Sequence, residues 1–512
     1  MSQSRRDFLL NSALFGLGAA VGLSPVRKIF GDTLSSSSTS MLGKTIARRK
    51  NVLFLAIDDL RPELGCYGHP MVKSPNIDAL AKSGVVFDMT YCQQAVCGPT
   101  RASLLTGRRP DTTKVWDLKT HIRDTMPDVV TLQQHFKNNG YFSQGIGKLF
   151  HSGKEDAASY SVPHKYPKAP TYALTENADK LKVGGKETKE DSEGNGKMKG
   201  PSTECADVPD NTYEDGKLTE MGIKALNELA KKATIKDEKE RQPFFLGLGF
   251  RKPHLPFIAP KKYWDLYDRS KIPLPYPLKP KNVPDVAFAN WQEMRAYSDI
   301  PDVGPCDEAK TKELIHGYYA CVSYTDALVG KVLAELDRLD LRKDTIIILW
   351  GDHGWKLGEY SMWCKHSNFE LDTHVPMIIS DPDMPKGLRT SALTEYVDIF
   401  PTLTELCGLP QSEGMEGVSM VPLLTNPNQS WKKAAFSQYP RPKNIMGYSI
   451  RTERYRYNEW IDQKNNKVVA RELYDLKNDP LCKECIVEYP ENKELVAKLH
   501  EQLKAGWQAA KP

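Results

Sequence analysis

The 512-residue sequence lacks a strong excess of charge of either sign. It has 70 lysines and arginines against 65 aspartates and glutamates, which gives a formal net charge of +5. Chains that bind nucleic acid usually carry a clear basic surplus, so the composition predicts no nucleic acid partner. So small a surplus attracts an anionic substrate only where it is locally concentrated. The length exceeds what one hydrophobic core usually serves, and we therefore expect one large and one smaller domain.

The ten cysteines lack a repeating pattern. They occupy positions 66, 92, 97, 205, 306, 321, 364, 407, 482 and 485, and these spacings predict no disulfide framework. Cys482 and Cys485 form a lone C-x-x-C pair. Without a second pair of ligands nearby, the pair does not indicate a zinc site, which leaves a local disulfide or two free thiols as the alternatives. We assign it no catalytic role.

The sequence also lacks an apolar run typical of a membrane span. The run "LLNSALFGLGAAVGL" near the N-terminus is short and rich in glycine. It follows Arg5 and Arg6, and this arrangement resembles a twin-arginine export signal. We predict a signal peptide over 1–33, a polar linker over 34–47 and export by a bacterium to the periplasm or the medium, with no stable membrane span after signal removal. An uncleaved N-terminal anchor is the alternative.

Short apolar runs alternate with helical patterns along most of the chain. The runs, which predict buried parallel strands, cover 51–57, 141–147, 244–250, 345–350 and 376–380. Helical patterns cover 74–84, 131–140 and 312–339. This alternation predicts an α/β fold with a doubly wound, mixed but mostly parallel sheet flanked by helices.

The pattern changes near residue 434. Short alternating segments and a terminal amphipathic helix follow, and they predict a small α+β subdomain, an antiparallel sheet plus a helix, over 434–512. The catalytic domain then covers 48–433. Residues 183–218 are charged, rich in glycine and nearly free of aliphatic side chains, which predicts either a lid or a disordered surface loop.

Acidic side chains follow two of the predicted strands. Asp58 and Asp59 come after the first, and Asp352 and His353 come after 345–350. Parallel strands end at one edge of a sheet, and ligands bind there. Three carboxylates at one edge repel each other unless a cation holds them, and oxygen ligands favour Ca²⁺ or Mg²⁺. An Asp-Asp pair alone indicates a helix cap or a turn, but the second acidic strand end favours a metal site.

Basic side chains follow the other predicted strands. Lys148 and His151 come after 141–147, His254 comes after 244–250, and Lys365 lies beyond the acidic strand end. Singly, each is typical of a protein surface. Together at one sheet edge they predict a pocket for a tetrahedral oxyanion such as sulfate or phosphate.

The stretch "AVCGPTR" places a thiol at the start of a helical pattern. Pro99 suits the first turn of a helix, whose amides attract anions, and Arg101 lies one turn beyond Cys97. A buried structural cysteine is the ordinary alternative. The letters "CGPTR" fit the C-x-P-x-R signature by which sulfatases mark a cysteine for oxidation to formylglycine.

The chain resembles the sulfatase family from about residue 50 to its end, and within it the iduronate-2-sulfatase branch. The stretches that carry this resemblance are "DDLRPELGCYG", "SPNIDALA", "QQAVCGPTRASLLTGRRPDTT", "GKLFH", "KPHLPF", "GDHGWKLGEYSMWCKHSNFELDTHVP" and "MGYSIRTERYRY". The resemblance implies an alkaline-phosphatase-like fold, a sulfuric ester hydrolase, a sulfated saccharide substrate and a formylglycine-generating maturation enzyme as partner.

The resemblance also implies roles for the residues already identified. The catalytic set is Cys97, Arg101, Lys148, His151, His254 and Lys365, and one Ca²⁺ is held by Asp58, Asp59, Cys97, Asp352 and His353. Oxidised to formylglycine and hydrated, residue 97 attacks sulfur while the lysines neutralise the sulfate oxygens. His254, with Lys365, protonates the departing sugar oxygen, and His151 is the base that regenerates the aldehyde.

Three alternative functions remain open from the sequence. They are a phosphomonoester or phosphonate hydrolase of the same superfold, an inactive sulfoglycan-binding descendant and a structural exported protein. The C-x-P-x-R motif and the complete set of reacting residues argue against them. Two hypotheses concern the sugar: Arg451, Arg454 and Arg456 form a second wall, and Trp116, Trp355, Tyr360 and Trp363 stack on its ring or are core aromatics.

Overall fold

The computed structural model describes residues 48–183, 200–290 and 292–512, so the predicted signal peptide and linker lie outside the described residues. The strands are β1 (Asn51–Ile57), β2 (Val85–Tyr91), β3 (Phe142–Gly147), β4 (Thr203–Ala206), β5 (Phe244–Phe250), β6 (Phe257–Pro260), β7 (Thr345–Gly351), β8 (Lys356–Leu357), β9 (Trp363–Cys364), β10 (His374–Ser380), β11 (Leu388–Glu395), β12 (Ala435–Arg441), β13 (Ile445–Arg451), β14 (Tyr455–Asp462) and β15 (Lys467–Asp475).

The α-helices connect and cover these strands. They are α1 (Pro75–Lys82), α2 (Cys97–Thr106), α3 (Pro110–Thr113), α4 (Ile122–Thr125), α5 (Leu132–Asn138), α6 (Thr175–Val183), α7 (Glu214–Ala233), α8 (Lys261–Trp264), α9 (Gln292–Arg295), α10 (Glu308–Arg338), α11 (Glu370–Thr373), α12 (Ile399–Leu406), α13 (Val421–Thr425) and α14 (Lys493–Ala509). The three predicted helices appear as α1, α5 and α10. The last begins four residues early because the Asp307 side chain caps its N-terminus.

The large sheet has the strand order β11-β2-β10-β7-β1-β5-β3. All its strands run parallel except β10, which is antiparallel to both neighbours. The predicted mixed, mostly parallel sheet is therefore confirmed, but a parallel strand over 376–380 is wrong. A parallel return needs a long crossover, usually a helix. The segment between β7 and β10 holds the β8–β9 pair, a 3₁₀ turn over Glu359–Ser361 and the four-residue α11, and none of these is a crossover helix.

Hydrophobic clusters cover both faces of this sheet, as a doubly wound fold requires. Along β1, Leu53 and Leu55 belong to one cluster, and Phe54 and Ala56 belong to the other. Alternation along a strand sends successive side chains to opposite faces, so a strand buried on both faces becomes a continuous apolar run.

The C-terminal region forms an antiparallel sheet in the order β12-β13-β14-β15, accompanied by α14. This confirms the predicted sheet and helix; the domain boundary at 434 remains a prediction. Residues 200–218 do not form the predicted loop, because β4 pairs with β6 and α7 begins at Glu214. Among the described residues, no helix combines the length and the apolar content that crossing a bilayer requires.

Candidate active site

The predicted site residues from four parallel strands meet at one edge of the sheet. Asp58 and Asp59 follow β1, Lys148 follows β3, His254 lies in the turn after β5, and Asp352 follows β7. Because these strands point the same way, their carboxyl ends bring together residues that lie far apart in the sequence. Lys365 and His366 lie in the loop after β9. His366 has a left-handed backbone conformation with φ +84°, and Lys365 directly precedes it.

Arg101 lies beneath the site and binds two of its carboxylates. Its Nη2 donates to Asp58 Oδ1 at 2.9 Å, and its Nε donates to Asp352 Oδ2 at 3.0 Å. Lys148 Nζ lies 2.7 Å from Asp58 Oδ2. Burial alone would raise the pKa of Asp58, but Lys148 and Arg101 hold it well below its usual range. Asp58 is therefore held as a carboxylate although it is fully buried.

Asp59 connects the acidic strand ends to Lys365. Its backbone N–H donates to Asp352 Oδ1 at 2.9 Å, and its Oδ1 accepts from Lys365 Nζ at 3.2 Å. The residue has φ +57°, a left-handed conformation that turns the chain sharply at the end of β1. Burial raises the pKa of Asp59. Three carboxylates thus lie buried together at the ends of β1 and β7.

Cys97 is the first residue of α2 and contacts this acidic cluster. Its Sγ lies 3.6 Å from Asp58 Oδ1 and 3.2 Å from His353 Nε2. Burial and the neighbouring Asp58 raise the pKa of the Cys97 thiol. The thiol is 2% exposed. A neutral, enclosed thiol is a poor nucleophile, so the unmodified residue suits the reaction badly.

The donor atoms of this cluster fit a hard divalent cation. One atom each from Asp58, Asp59, Cys97 and His254 lies within 4.8 Å of the others, and the same holds for Cys97, Asp352 and His353. Three of these six donor residues are carboxylates, whose oxygens hard cations prefer. His353 Nδ1 lies 3.0 Å from the Gly354 carbonyl, which fixes the ring and turns Nε2 toward Asp59 at 3.4 Å.

A cavity of 390 Å³ opens over the cluster. Its lining includes the predicted Cys97, Lys148, His151, His254 and Lys365. The buried acidic cluster therefore lies at the bottom of a pocket with basic walls. This arrangement suits an anionic group that is presented end-on to residue 97.

Sequence reasoning missed Glu293, which also lines this cavity. Its Oε2 lies 2.8 Å from Lys365 Nζ, and its Oε1 lies 3.1 Å from His254 Nε2. Burial would raise the pKa of Glu293, but Lys365 and His254 hold it well below its usual range. Glu293 lies on the four-residue α9 in a region with no strand end, so no local pattern could have identified it.

The wall predicted from three arginines of the C-terminal sheet is formed by other residues. Arg451 and Arg456 bind Glu370 at 3.2 and 2.6 Å, and the more exposed Arg454 binds Asp475 at 2.7 Å. The hypothesis that these arginines contact the sugar is wrong in this structure, because none of the three lines the cavity. The turn between β12 and β13 lines the cavity instead, with Tyr439, Pro440, Arg441 and Pro442.

The remaining aromatic and cysteine candidates are structural. Trp355, Tyr360 and Trp363 are buried in the main hydrophobic cluster, which favours the core alternative for them. Trp355 nonetheless supports the site, because Lys365 Nζ lies 4.6 Å from the centre of its ring. The half-buried Trp116 lies outside the cavity lining and has Lys114 over its ring. Cys482 and Cys485 are buried free thiols.

Comparisons with known proteins agree with this geometry. A family model described as "Sulfatase" matches residues 50–409, and one described as "N-sulphoglucosamine sulphohydrolase, C-terminal" matches residues 358–509. Iduronate 2-sulfatase from Homo sapiens is 34% identical over an alignment of 526 positions, gaps included, which covers 88% of this chain and 92% of that protein. A sulfatase from Formosa agariphila is 30% identical, covering 84% and 82% respectively.

Solved structures share the fold at lower identity. One was determined in complex with its substrate D-glucosamine-2-N,6-O-disulfate; it has a TM-score of 0.67 and 21% identity, covering 91% of this chain and 99% of its own. A phosphonate monoester hydrolase from Silicibacter pomeroyi has a TM-score of 0.70 and 23% identity, covering 90% and 96%. These likenesses support the alkaline-phosphatase-like fold.

Proposed function

Since the chain belongs to the sulfatase family and is a sulfuric ester hydrolase, we propose that it removes sulfate from a sulfated saccharide with a formylglycine derived from Cys97 and a bound Ca²⁺. The observation that carries the proposal is the position of Cys97. It begins α2 at the bottom of a cavity walled by lysine and histidine, and its sulfur touches the acidic cluster.

Conversion of Cys97 is a two-electron oxidation at Cβ, for which an external maturation enzyme supplies the oxidant. The Cβ–S bond breaks, oxygen takes the place of sulfur, and the sulfur leaves as sulfide. Hydrated, the aldehyde supplies an oxygen nucleophile with a second hydroxyl that allows the bound sulfate to be expelled later. Asp58, Asp59, Asp352, His353 and residue 97 would hold Ca²⁺. When bound, Ca²⁺ supplies positive charge that offsets the repulsion among the carboxylates and attracts sulfate oxygens.

The walls of the cavity supply the remaining functions. Lys148 and Lys365 neutralise the charge on the sulfate oxygens while the sulfur–oxygen bond to the sugar breaks. His254 gives a proton to the departing sugar oxygen, and His151 takes a proton when sulfate leaves residue 97. Arg101 does not line the cavity and acts by holding Asp58 and Asp352 in place. The overall change is the addition of water to the ester, giving an alcohol and sulfate.

The similarity to iduronate 2-sulfatase supports a sulfated sugar that also carries a carboxylate, such as a 2-O-sulfated uronide. A phosphonate monoester hydrolase is the second candidate, favoured by the shared fold. The cavity would accept any tetrahedral oxyanion, so the geometry of the site alone does not separate the two esters.

The test is hydrolysis of a matched ester panel by protein whose Cys97 conversion has been verified by peptide mass spectrometry. The panel contains defined sulfated saccharides, 2-O-sulfated uronides among them, beside a phosphomonoester and a phosphonate monoester of the same alcohol. We expect sulfate release to be fastest, and Cys97→Ala protein serves as the blank. Faster cleavage of the phosphorus esters would replace the proposal by the second candidate.

A further inference from the structure

Lys252 is a buried lysine at the active site that the proposed reaction does not use. It is 8% exposed and lies in the turn after β5, two residues before His254. Burial lowers the pKa of Lys252. Burying an ammonium group costs several kcal/mol unless hydrogen bonds compensate, so the contacts of this group indicate its role.

The ammonium group of Lys252 bridges two backbone carbonyls of its own turn. Its Nζ donates to the His254 carbonyl at 2.8 Å and to the Pro256 carbonyl at 2.7 Å. The carbonyl between them, that of Leu255, lies 2.7 Å from His254 Nδ1. Three successive carbonyls are thus engaged, two by Lys252 and one by the imidazole ring itself. The His254 ring is oriented by the Leu255 carbonyl, and Lys252 holds the carbonyls on either side of it.

The lysine is itself fixed to two long helices. Its backbone N–H donates to Asp215 Oδ2 of α7 at 2.7 Å, and its carbonyl accepts from Thr325 Oγ1 of α10 at 2.9 Å. Asp215 Oδ1 accepts the neighbouring N–H of Arg251 at 2.8 Å. The path from the helices to His254 is therefore continuous, and each link is a hydrogen bond between buried groups.

We propose that Lys252 is a positioning residue that aims His254 Nε2 at the oxygen leaving the substrate. The inference rests on the proposed function, because His254 needs this aim only if it protonates a leaving group. With Nδ1 directed to the Leu255 carbonyl, Nε2 faces the cavity, where it lies 3.1 Å from Glu293 Oε1 and 3.9 Å from Asp59 Oδ2. An error of about 1 Å in such an aim can reduce a rate about a hundredfold.

The test separates aim from folding by varying the leaving group. A general acid matters for a poor leaving group and little for a good one. We expect Lys252→Met to lower kcat on phenyl sulfate about a hundredfold, with KM nearly unchanged, and to lower kcat on 4-nitrophenyl sulfate less than about threefold. Lys252→Arg, which keeps cationic donors, should recover part of the loss. Equal losses on both esters, or no loss on either, would overturn the proposal.

Lys432→Met is the matched control, because Lys432 is equally buried at 7% exposure but binds Glu395 and Asp398 away from the cavity. It should lower the melting temperature without changing the ratio of the two rates. A crystal structure of Lys252→Met provides a readout that does not depend on activity. A displaced or disordered His254 ring supports the proposal, and an unmoved ring overturns it. If the wild-type enzyme hydrolyses no sulfate ester, the proposed function fails, while the ring position still tests Lys252.

Discussion

At residue 97 the chemistry depends on how many hydroxyl groups Cβ carries. The side chain is enclosed between Asp58 and His353, at the start of α2. Serine in this place would offer one hydroxyl. That hydroxyl can attack the sulfur of the substrate, but the sulfate then bound to serine cannot be released by elimination. An aldehyde hydrate offers two hydroxyls on one carbon, so the second can collapse to the carbonyl as sulfate departs.

Cys97→Ser should therefore bind substrate and scarcely turn over. We expect kcat to fall at least a thousandfold, within the range known for loss of a nucleophile, while equilibrium binding of a sulfated saccharide stays within about threefold. Stopped-flow mixing and calorimetry measure the two quantities. Wild-type protein with a wholly unmodified thiol but full activity would contradict the mechanism.

The acidic cluster leads to a prediction about metal removal. Asp58, Asp59 and Asp352 are fully buried, and without a metal ion their mutual repulsion is offset by neighbouring side chains such as Arg101, Lys148 and Lys365. Chelation should abolish sulfate release and lower the melting temperature, and Ca²⁺ should restore both. Elemental analysis should give one calcium per chain. Two zinc ions per chain instead would favour a phosphatase-type centre.

At the scale of elements, the residues that follow the parallel strands could be predicted, whereas most of the irregular segments that reach the cavity could not. Residues directly after β1, β3, β5 and β7 were identified because a parallel sheet fixes where its strands end. Glu293 and the β12–β13 turn reach the cavity through irregular segments, whose paths depend on tertiary packing. The strand β11 was missed for another reason. The edge strand β11 is partly exposed, so its sequence "LRTSALTE" is largely polar.

The arginines of β13 and β14 show why the predicted contact with the sugar is wrong. Arg451 and Arg456 lie on neighbouring strands and converge on Glu370 of α11, which also accepts from the Tyr91 hydroxyl at 2.7 Å. Burial would raise the pKa of Glu370, but Arg451 and Arg456 hold it well below its usual range. This cluster joins the C-terminal sheet to the segment that carries Lys365 and leads into β10.

Glu370→Gln should destabilise the protein by about 3 kcal/mol at pH 7, because two buried arginines lose their counter-charge. The folded pKa of Glu370 is depressed, so its contribution is present above the unfolded pKa of about 4.3 and is lost as pH falls below it. The difference in unfolding free energy between variant and wild type should therefore shrink in acid. Denaturant titrations between pH 7 and pH 3 measure it, with the exposed Glu405→Gln as control. A pH-independent difference would exclude the ionic cause.

At the scale of the whole molecule, burial of Cys97 constrains the order of maturation and export. A thiol that is 2% exposed inside the fold is closed to a second enzyme. The predicted twin-arginine signal belongs to a route that carries folded proteins, so we predict that modification of Cys97 precedes both folding and export. Changing Arg5 and Arg6 to lysine should retain the precursor in the cytoplasm with formylglycine already at position 97, while Arg27→Lys should not impair export. Peptide mass spectrometry of the retained protein decides, and a fully unmodified thiol there would contradict this order.

The shape of the cavity bears on which end of a saccharide is cleaved. Four walls come from separate parts of the chain, namely the loops after β3, β5 and β9 and the turn between β12 and β13. The last of these adds a wall from the C-terminal sheet, and Arg441 Nε of that turn donates to the Val286 carbonyl at 2.8 Å. A pocket of 390 Å³ closed in this way suits a terminal sugar, whereas an internal sugar needs an exit on both sides. Initial sulfate release should therefore be at least about tenfold faster from an oligosaccharide sulfated only at its non-reducing end than from one sulfated only internally, a difference of about 1.4 kcal/mol in transition-state binding.

Arg441→Ala should narrow this ratio, because the turn loses its bond to residue 286 and the pocket opens on that side. Equal rates on the two oligosaccharides with the wild-type enzyme would reject the closed pocket.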